Sequence, residues 1–285
     1  MCRSTACLCV AAVSYCLPLI YPQQHRELAE DEKSIVSQMG ELRGLADTVR
    51  ARTTVELAIQ IRRLPPRPSK LSLAENLASL STEGDFEHET LQEVANTLSE
   101  AIRESPAAQK GGSGTAYDEL AQLVRYEGIK TDLDDPALRA ALAKLDANDA
   151  VRQKADFTLM DLQGKTWTLQ GLHGKVVLVN FWATWCPPCR KEIPDLQALN
   201  QTFRDELVVL AITDEDAAKV KPFVATRDVT YPILLDPGRK VHDVFRIEGI
   251  PKSFIYDRDG KLVAEAIDMR TRKQFLEMLE RAGLR

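Results

Sequence analysis

The stretch NFWATWCPPCRKEIP, residues 180–194, contains two cysteines separated by two prolines, directly after an apolar and aromatic run. The run KVVLVNFWA, residues 175–183, is almost continuously apolar, which predicts a central strand buried on both faces. The residues that follow the first cysteine predict a helix. A cysteine pair at such a junction has three interpretations: a metal clip, an inert structural disulfide, or a redox centre.

The other cysteines and the histidines give little support to a metal clip. Of the six cysteines in the 285 residues, four lie within the first sixteen positions, so Cys186 and Cys189 are the only pair in the rest of the chain. A structural zinc site needs about four ligands, and the four histidines are scattered singly. Neither a metal nor another cofactor is expected.

A helix that begins at the first cysteine would favour the thiolate of Cys186, because backbone N–H groups and the positive end of the helix dipole point at that sulfur. Cys189 lies one helical turn further along and could attack a mixed disulfide to release the substrate. Pro187 and Pro188 have no N–H groups, which removes two possible donors to the sulfur. The pattern therefore predicts a moderately stabilised thiolate and a reducing or intermediate potential.

The net charge of −5, with no long run of like charges, makes nucleic acid an unexpected partner. The length fits two domains. Residues 1–24 carry one arginine and then an apolar run over positions 6–21, a pattern typical of a signal peptide or membrane anchor. The expected location is the cell envelope, periplasmic or membrane-anchored, and a cytoplasmic location is the alternative.

Residues 25–148 predict an all-helical domain of unknown role. Apolar residues recur there at three- and four-residue steps, as in Leu91, Val94, Leu98 and Ile102. Breaks rich in proline or glycine divide the segment into about five helices. The segment carries no catalytic signature.

Residues 150–285 predict an α/β domain with a mixed central sheet flanked by helices. A strand, the helix after Cys186 and a second buried strand follow one another, which predicts a right-handed parallel crossover. The ranges with strand patterns are 156–169, 175–183, 207–214, 231–236 and 252–267. An amphipathic helix over residues 271–284 closes the chain.

The stretches VNFWATWCPPCRKEIP and GIPKSFIYDRDGKLV together resemble the thioredoxin-fold thiol-disulfide oxidoreductases of the TlpA/ResA-like branch, also described as redoxin or AhpC/TSA-related domains. The resemblance covers residues 150–285 and implies a thioredoxin fold there. It implies that Cys186 is the nucleophile and Cys189 the resolving cysteine of a redox-active disulfide. The implied partners are disulfide-bearing protein substrates and an upstream dithiol electron donor.

Several single positions match the same family. Ile250–Pro251 resembles its cis-proline, which packs against the active disulfide and leaves the preceding backbone free to pair with an extended substrate. Trp182 and Trp185 resemble its aromatic pair, with Trp182 mostly in the core and Trp185 exposed beside the sulfur, and Pro194 matches a helix-kinking proline. The residues expected to position the substrate are Trp185, Pro187, Pro188, Ile250 and Pro251.

Two positions depart from related proteins. Asn180 stands where thioredoxin has a buried aspartate that takes the proton of the second cysteine, and Lys252 stands where cytochrome c maturation members have a glutamate. No buried acid is therefore expected beside Cys189. Glu192 is a candidate base, but a solvent-exposed position on its helix is the stronger expectation. Asn180→Asp would then supply the missing base and speed release of the substrate.

Two other functions are compatible with these patterns. A thiol peroxidase of the peroxiredoxin type uses the same fold, but it would need a threonine three residues before its reactive cysteine, whereas Thr184 lies two residues before Cys186. In the other alternative the helical domain is a docking module, and the thioredoxin domain is its scaffold.

Overall fold

The computed structural model describes residues 28–83, 86–109 and 114–285. The predicted signal peptide or anchor lies outside these residues. Within the described ranges, no helix is both long and apolar enough to cross a bilayer.

The described residues before the first strand form helices, which we call the helical half (residues 30–154). The sequence predicts about five helices here, whereas the described part contains seven α-helices, one of which is a helix of only four residues that begins at Pro106. The helices are α1 (Glu30–Glu41), α2 (Asp47–Arg63), α3 (Pro68–Ser81), α4 (His88–Glu104), α5 (Pro106–Gln109), α6 (Gly114–Tyr126) and α7 (Pro136–Lys154).

The helical half has its own apolar core. Helix α4 buries Leu91, Val94, Leu98 and Ile102, so the predicted apolar stripe is confirmed as a packing face. These side chains belong to one cluster with buried residues of α2, α3 and α6. The helices therefore pack around an apolar core of their own.

The remaining residues, which we call the sheet half (155–285), form the predicted mixed α/β fold. The strands are β1 (Thr158–Asp161), β2 (Thr166–Thr168), β3 (Val176–Phe181), β4 (Leu207–Thr213), β5 (Ile233–Leu235), β6 (Lys252–Tyr256) and β7 (Leu262–Ala266). Their order in the sheet is β2-β1-β5-β4-β3-β6-β7, with β3 parallel to β4 and antiparallel to β6. The helices around it are α8 (Pro187–Thr202), α9 (Ala217–Ala225), α10 (Lys240–Val244) and α11 (Arg272–Arg281).

Strand β3 is central and buried along its whole length, as its apolar run predicts. Val176 and Leu178 face one core cluster, while Val177, Val179 and Phe181 face the other. The alternation of side chains in a strand sends successive residues to opposite faces, so both faces must be covered. The carboxyl end of this rigid strand leads directly into the cysteine-containing turn.

Helix α7 attaches the helical half to the edge of the sheet. Arg152 donates from Nε to the carbonyl oxygen of Phe245 at 3.0 Å, and its own carbonyl accepts from the Tyr256 hydroxyl at 2.9 Å. Gln153 bonds the edge strand itself, accepting from the Leu262 amide at 2.7 Å and donating to the Gly260 carbonyl at 2.9 Å. The two halves are thus joined by buried polar contacts as well as by the chain.

A buried carboxylate lies at the centre of this junction. Glu265 of β7 pairs through one oxygen with Arg152 at 2.8 Å and through the other with Lys252 at 2.9 Å, and all three side chains are largely buried. Removing one partner of a buried ion pair leaves uncompensated charge, which costs about 3–5 kcal/mol. The cluster therefore makes the two halves mutually dependent.

Glu265→Gln is expected to lower the free energy of unfolding by about 3 kcal/mol, because Lys252 loses its paired carboxylate and Arg152 keeps only Asp149, at 3.4 Å. Glu30→Gln is the matched control, since it breaks the exposed Lys33–Glu30 pair and should cost less than about 1 kcal/mol. Urea titration followed by circular dichroism gives both values. Equal, small losses in the two variants would show that the junction does not depend on this charge.

Candidate active site

The cysteine pair lies at the start of α8, directly beyond the end of β3. Cys186 is the N-cap residue of the helix, and its Sγ accepts from the backbone N–H of Cys189 at 3.2 Å. The two sulfurs form a disulfide, and both residues are buried. The structure therefore shows the pair in its oxidised form, with the first sulfur at the positive end of the helix dipole.

The residues around the disulfide divide into an exposed and a buried group. The Trp185 side chain is 67% exposed, and Pro187 beside it is also exposed, whereas Pro188 is half-buried. Trp182 is buried and packs on Phe223, with ring centroids 5.6 Å apart. Trp185 therefore presents an exposed indole one residue before Cys186.

The Ile250–Pro251 peptide bond is cis, as the family resemblance implies. The Ile250 carbonyl oxygen lies 3.7 Å from Cys186 Sγ, so this loop contacts the sulfur directly. Pro251 is buried and leads into β6, next to the strand that carries the cysteine turn. The backbone of Ile250 therefore lies directly beside the sulfur of Cys186.

The expectation that Glu192 is solvent-exposed is wrong, because its side chain is buried beneath the start of α8. Its Oε1 accepts from the Arg270 backbone N–H at 2.6 Å, and its Oε2 accepts from the Asn180 side-chain amide at 3.2 Å. Burial raises the pKa of Glu192 to about 8, against the opposing effect of these hydrogen bonds. A buried acid therefore exists one helical turn beyond Cys189, where the sequence predicted none.

The sequence held one usable signal for this position. Glu192 follows Cys189 by three residues and precedes Ile193, and both of these neighbours are buried on the inner face of α8. That spacing places Glu192 on the same face as Cys189. The partners that satisfy its carboxyl come from distant segments and have no local signature.

Asn180 and Lys252 have different surroundings from one another. Asn180 is buried and also donates to the Ser253 hydroxyl at 3.0 Å, so its amide links β3, β6 and α8. Lys252 pairs with Glu265 in the junction with the helical half. Lys252 therefore belongs to the charged contact between the halves.

The sequence did not indicate a role for Glu215, which lies in the loop after β4. Its carboxylate accepts from the Thr184 backbone N–H at 2.5 Å and from the Thr184 hydroxyl at 2.9 Å. These two bonds hold the turn that carries Trp185 and Cys186. No local pattern could have indicated a contact between residues 31 positions apart.

The structure reverses the expectation for Asn180→Asp, because a second carboxyl would lie beside the buried Glu192. Like charges at that distance hold one of the two groups protonated, and the substitution removes a donor to two acceptors. We expect no gain in the rate at which a mixed disulfide is resolved at neutral pH, and a loss of about 1–3 kcal/mol in unfolding free energy. Stopped-flow resolution and urea titration measure the two effects.

Asn200→Asp is the control for this substitution, because Asn200 is a half-buried residue of α8 whose side chain donates to the Thr230 hydroxyl at 3.3 Å. Asn200→Asp should leave the rate of mixed-disulfide resolution and the free energy of unfolding near those of the wild type. A faster resolution step in Asn180→Asp would mean that Glu192 does not already provide the proton acceptor.

Comparison with known proteins locates similarity in the sheet half. The AhpC/TSA family matches residues 151–265. The thiol-disulfide oxidoreductase ResA of Bacillus cereus is 35% identical over 132 residues, which are 46% of this chain and 76% of that protein. The thioredoxin-like protein YneN of Bacillus subtilis is 35% identical over 133 residues, which are 45% of this chain and 78% of that protein.

Among solved structures, the chain is similar to the exposed lipoprotein thioredoxin Etrx1 of Streptococcus pneumoniae. The alignment covers 44% of this chain and 98% of the Etrx1 chain, with 30% identity and a TM-score of 0.41.

Proposed function

Since this chain belongs to the TlpA/ResA-like, AhpC/TSA-related family of thiol-disulfide oxidoreductases, we propose that it reduces protein disulfides through a cycle of Cys186 and Cys189. The observation that carries the proposal is the disulfide at the N-terminus of α8, in contact with the cis Ile250–Pro251 loop. That position favours a thiolate at Cys186 in the reduced enzyme.

In the reductive direction, the Cys186 thiolate attacks one sulfur of the substrate disulfide. This forms a mixed disulfide and releases the first substrate thiolate. Cys189 then loses its proton and attacks Cys186 Sγ, which releases the second substrate thiol and leaves the enzyme disulfide. The substrate gains two electrons and two protons, and an upstream dithiol donor returns them to the enzyme.

Glu192 is the proposed proton acceptor for Cys189. It is a buried carboxyl on the same face of α8, and its raised pKa of about 8 makes its anion a stronger base than an exposed carboxylate. Trp185, Pro187 and the Ile250 backbone are the proposed contacts for the substrate. The test is reduction of a disulfide-bonded protein such as insulin by enzyme that has been pre-reduced and freed of reductant.

The same preparation separates this activity from that of a thiol peroxidase. Consumption of hydrogen peroxide with no reduction of protein disulfides would overturn the proposal. The hydroxyl of Thr184 already donates to Glu215, which leaves it less suited to bind a peroxide.

We place this activity in the cell envelope, on the basis of the apolar run over residues 6–21. A reporter that is active only after export, fused after residue 30, tests the location. An inactive reporter in a soluble cytosolic fusion protein would contradict it.

A further inference from the structure

We propose that Glu127, a residue of the helical half, sets the charge state of the buried Glu192 carboxyl by neutralising Arg270, which contacts both. The helical half would thereby tune the step in which Cys189 displaces the substrate. This inference rests on the proposed function, because it assigns Glu127 as a positioning residue for that resolving step.

Arg270 makes both contacts from the loop between β7 and α11. Its backbone N–H donates to Glu192 Oε1 at 2.6 Å, and its guanidinium forms an ion pair with Glu127 Oε1. Glu127 directly follows α6. A single residue of the sheet half therefore links the active-site carboxyl to the end of a helix in the other half.

The linked groups are shielded from water. Arg270 is 5% exposed, the Glu127 side chain is 16% exposed, and Glu192 is fully buried. Exposed ion pairs are screened by solvent and have little influence on their surroundings, whereas charges in a buried chain act on each other strongly. A change of charge at Glu127 should therefore be felt at Glu192.

The other groups that face Glu192 are few. Asn180 of β3 donates a neutral hydrogen bond, Tyr231 lies before β5, and Asp268 shares the loop of Arg270. Arg270 favours the Glu192 carboxylate, while the negative charge of Asp268 opposes it. Arg270 is thus the cation among these groups. How strongly it favours the Glu192 carboxylate depends on how far a second anion neutralises its charge.

The helical half contacts this loop at both of its charged residues. Besides the Glu127–Arg270 pair, the hydroxyl of Thr82, at the end of α3, donates to the Asp268 carboxylate. The helical half therefore binds both Arg270 and Asp268, the cation and the anion of the loop that contacts Glu192. A helical half that served only as a remote docking module would not need these contacts.

The proposal requires opposite effects from the two members of the ion pair. Glu127→Gln removes the anion that compensates Arg270, so the Glu192 carboxylate should be favoured and should form at lower pH. Arg270→Gln removes the cation and keeps the backbone N–H, so the carboxylate should form at higher pH. General loosening of the loop would move both variants in the same direction.

The experiment is a carbon-13 NMR titration of the Glu192 carboxyl in the full-length oxidised protein, assigned with Glu192→Gln. We expect the midpoint to fall by about one pH unit in Glu127→Gln and to rise by about one unit in Arg270→Gln, which is roughly a tenfold change in ionisation each way. Glu280→Gln is the matched control, because Glu280 is exposed on α11, and it should leave the midpoint unchanged.

The pH profile for resolution of a preformed mixed disulfide should move with each midpoint. The proposal would be overturned if the Glu192 midpoint moved in the same direction in both variants, or moved no more than in the control. It would also be overturned if the midpoints moved while the pH profile of the resolving step stayed unchanged. If Glu127→Gln fails to fold, Glu127→Asp, whose shorter side chain draws the carboxylate back from Arg270, should lower the midpoint by a smaller amount, while Arg270→Gln should still raise it. Because the titration needs no turnover, failure of the wild type to reduce disulfides would contradict the proposed function separately.

Discussion

Cys186→Ser is expected to abolish disulfide reduction, whereas Cys189→Ser is expected to stop turnover after a single attack and to accumulate a mixed disulfide with the substrate. A serine hydroxyl is not a nucleophile towards sulfur at neutral pH, so the loss in Cys186→Ser should be roughly a thousandfold or more. Both cysteines are 2% exposed, so their exposure does not distinguish their roles. The N-cap position of Cys186, with its sulfur accepting a backbone N–H, does distinguish them.

Intact-protein mass spectrometry after mixing each variant with a disulfide-bonded protein gives the result. With Cys2, Cys7, Cys9 and Cys16 also replaced by serine in both samples, the Cys189→Ser sample should contain a one-to-one covalent adduct that dithiothreitol removes, and the Cys186→Ser sample should contain none. An adduct formed by Cys186→Ser alone would reverse the roles of the two cysteines.

Glu192→Gln is expected to slow resolution of the mixed disulfide by about a hundredfold, the lower end of what a positioned general base contributes. The wild-type rate should rise with pH and level off above the Glu192 pKa of about 8, because only the carboxylate can accept the proton of Cys189. The variant should lose this dependence. Stopped-flow measurement from about pH 6 to about pH 9 on a preformed mixed disulfide follows the step directly.

The same substitution should stabilise the protein at alkaline pH. Since burial raises the folded-state pKa of Glu192 above its ordinary value of 4.5, the folded protein favours the protonated acid. That contribution to stability is fully present below the ordinary pKa and is lost as the pH rises through about 8. Glu192→Gln has no proton to lose, so it should be slower than the wild type but more resistant to urea at alkaline pH.

Glu280→Gln serves again as the control and should match the wild type in rate and in the pH dependence of stability. A Glu192→Gln enzyme that resolves the mixed disulfide at the wild-type rate would show that water or another group takes the proton. An equal loss of stability at alkaline pH in wild type and variant would show that the carboxyl does not titrate in this range.

The parts of the fold that depend on local pattern could be predicted from the sequence. The apolar run of β3 had to be buried on both faces, and Cys186 followed it, so these local patterns were enough to place the cysteine pair at the start of a helix. The cis bond at Pro251 could be anticipated only through family resemblance, because an isolated X–Pro bond is cis in only about 5–6% of cases.

The rest could not be predicted because it depends on groups brought together from distant parts of the chain. The burial of Glu192 is tolerated because Asn180 and Arg270, 12 and 78 residues away, satisfy its oxygens. The junction pair of Arg152 and Glu265 spans 113 residues. A single sequence shows the polarity of such residues but not their partners, and an isolated glutamate on a helix is usually exposed.

Strand β7 is the last strand of the sheet, and Gln153 bonds to the Leu262 amide at its start and to the Gly260 carbonyl just before it. Unpaired edge groups are a template for pairing with another chain. A truncated protein that starts at residue 155 would expose this edge and leave Glu265 without Arg152. We expect such a fragment to self-associate through β7, with elution on gel filtration as oligomers. A fragment for biochemical work should therefore keep α7 with its N-cap residue Asp135 and the helices that share its core.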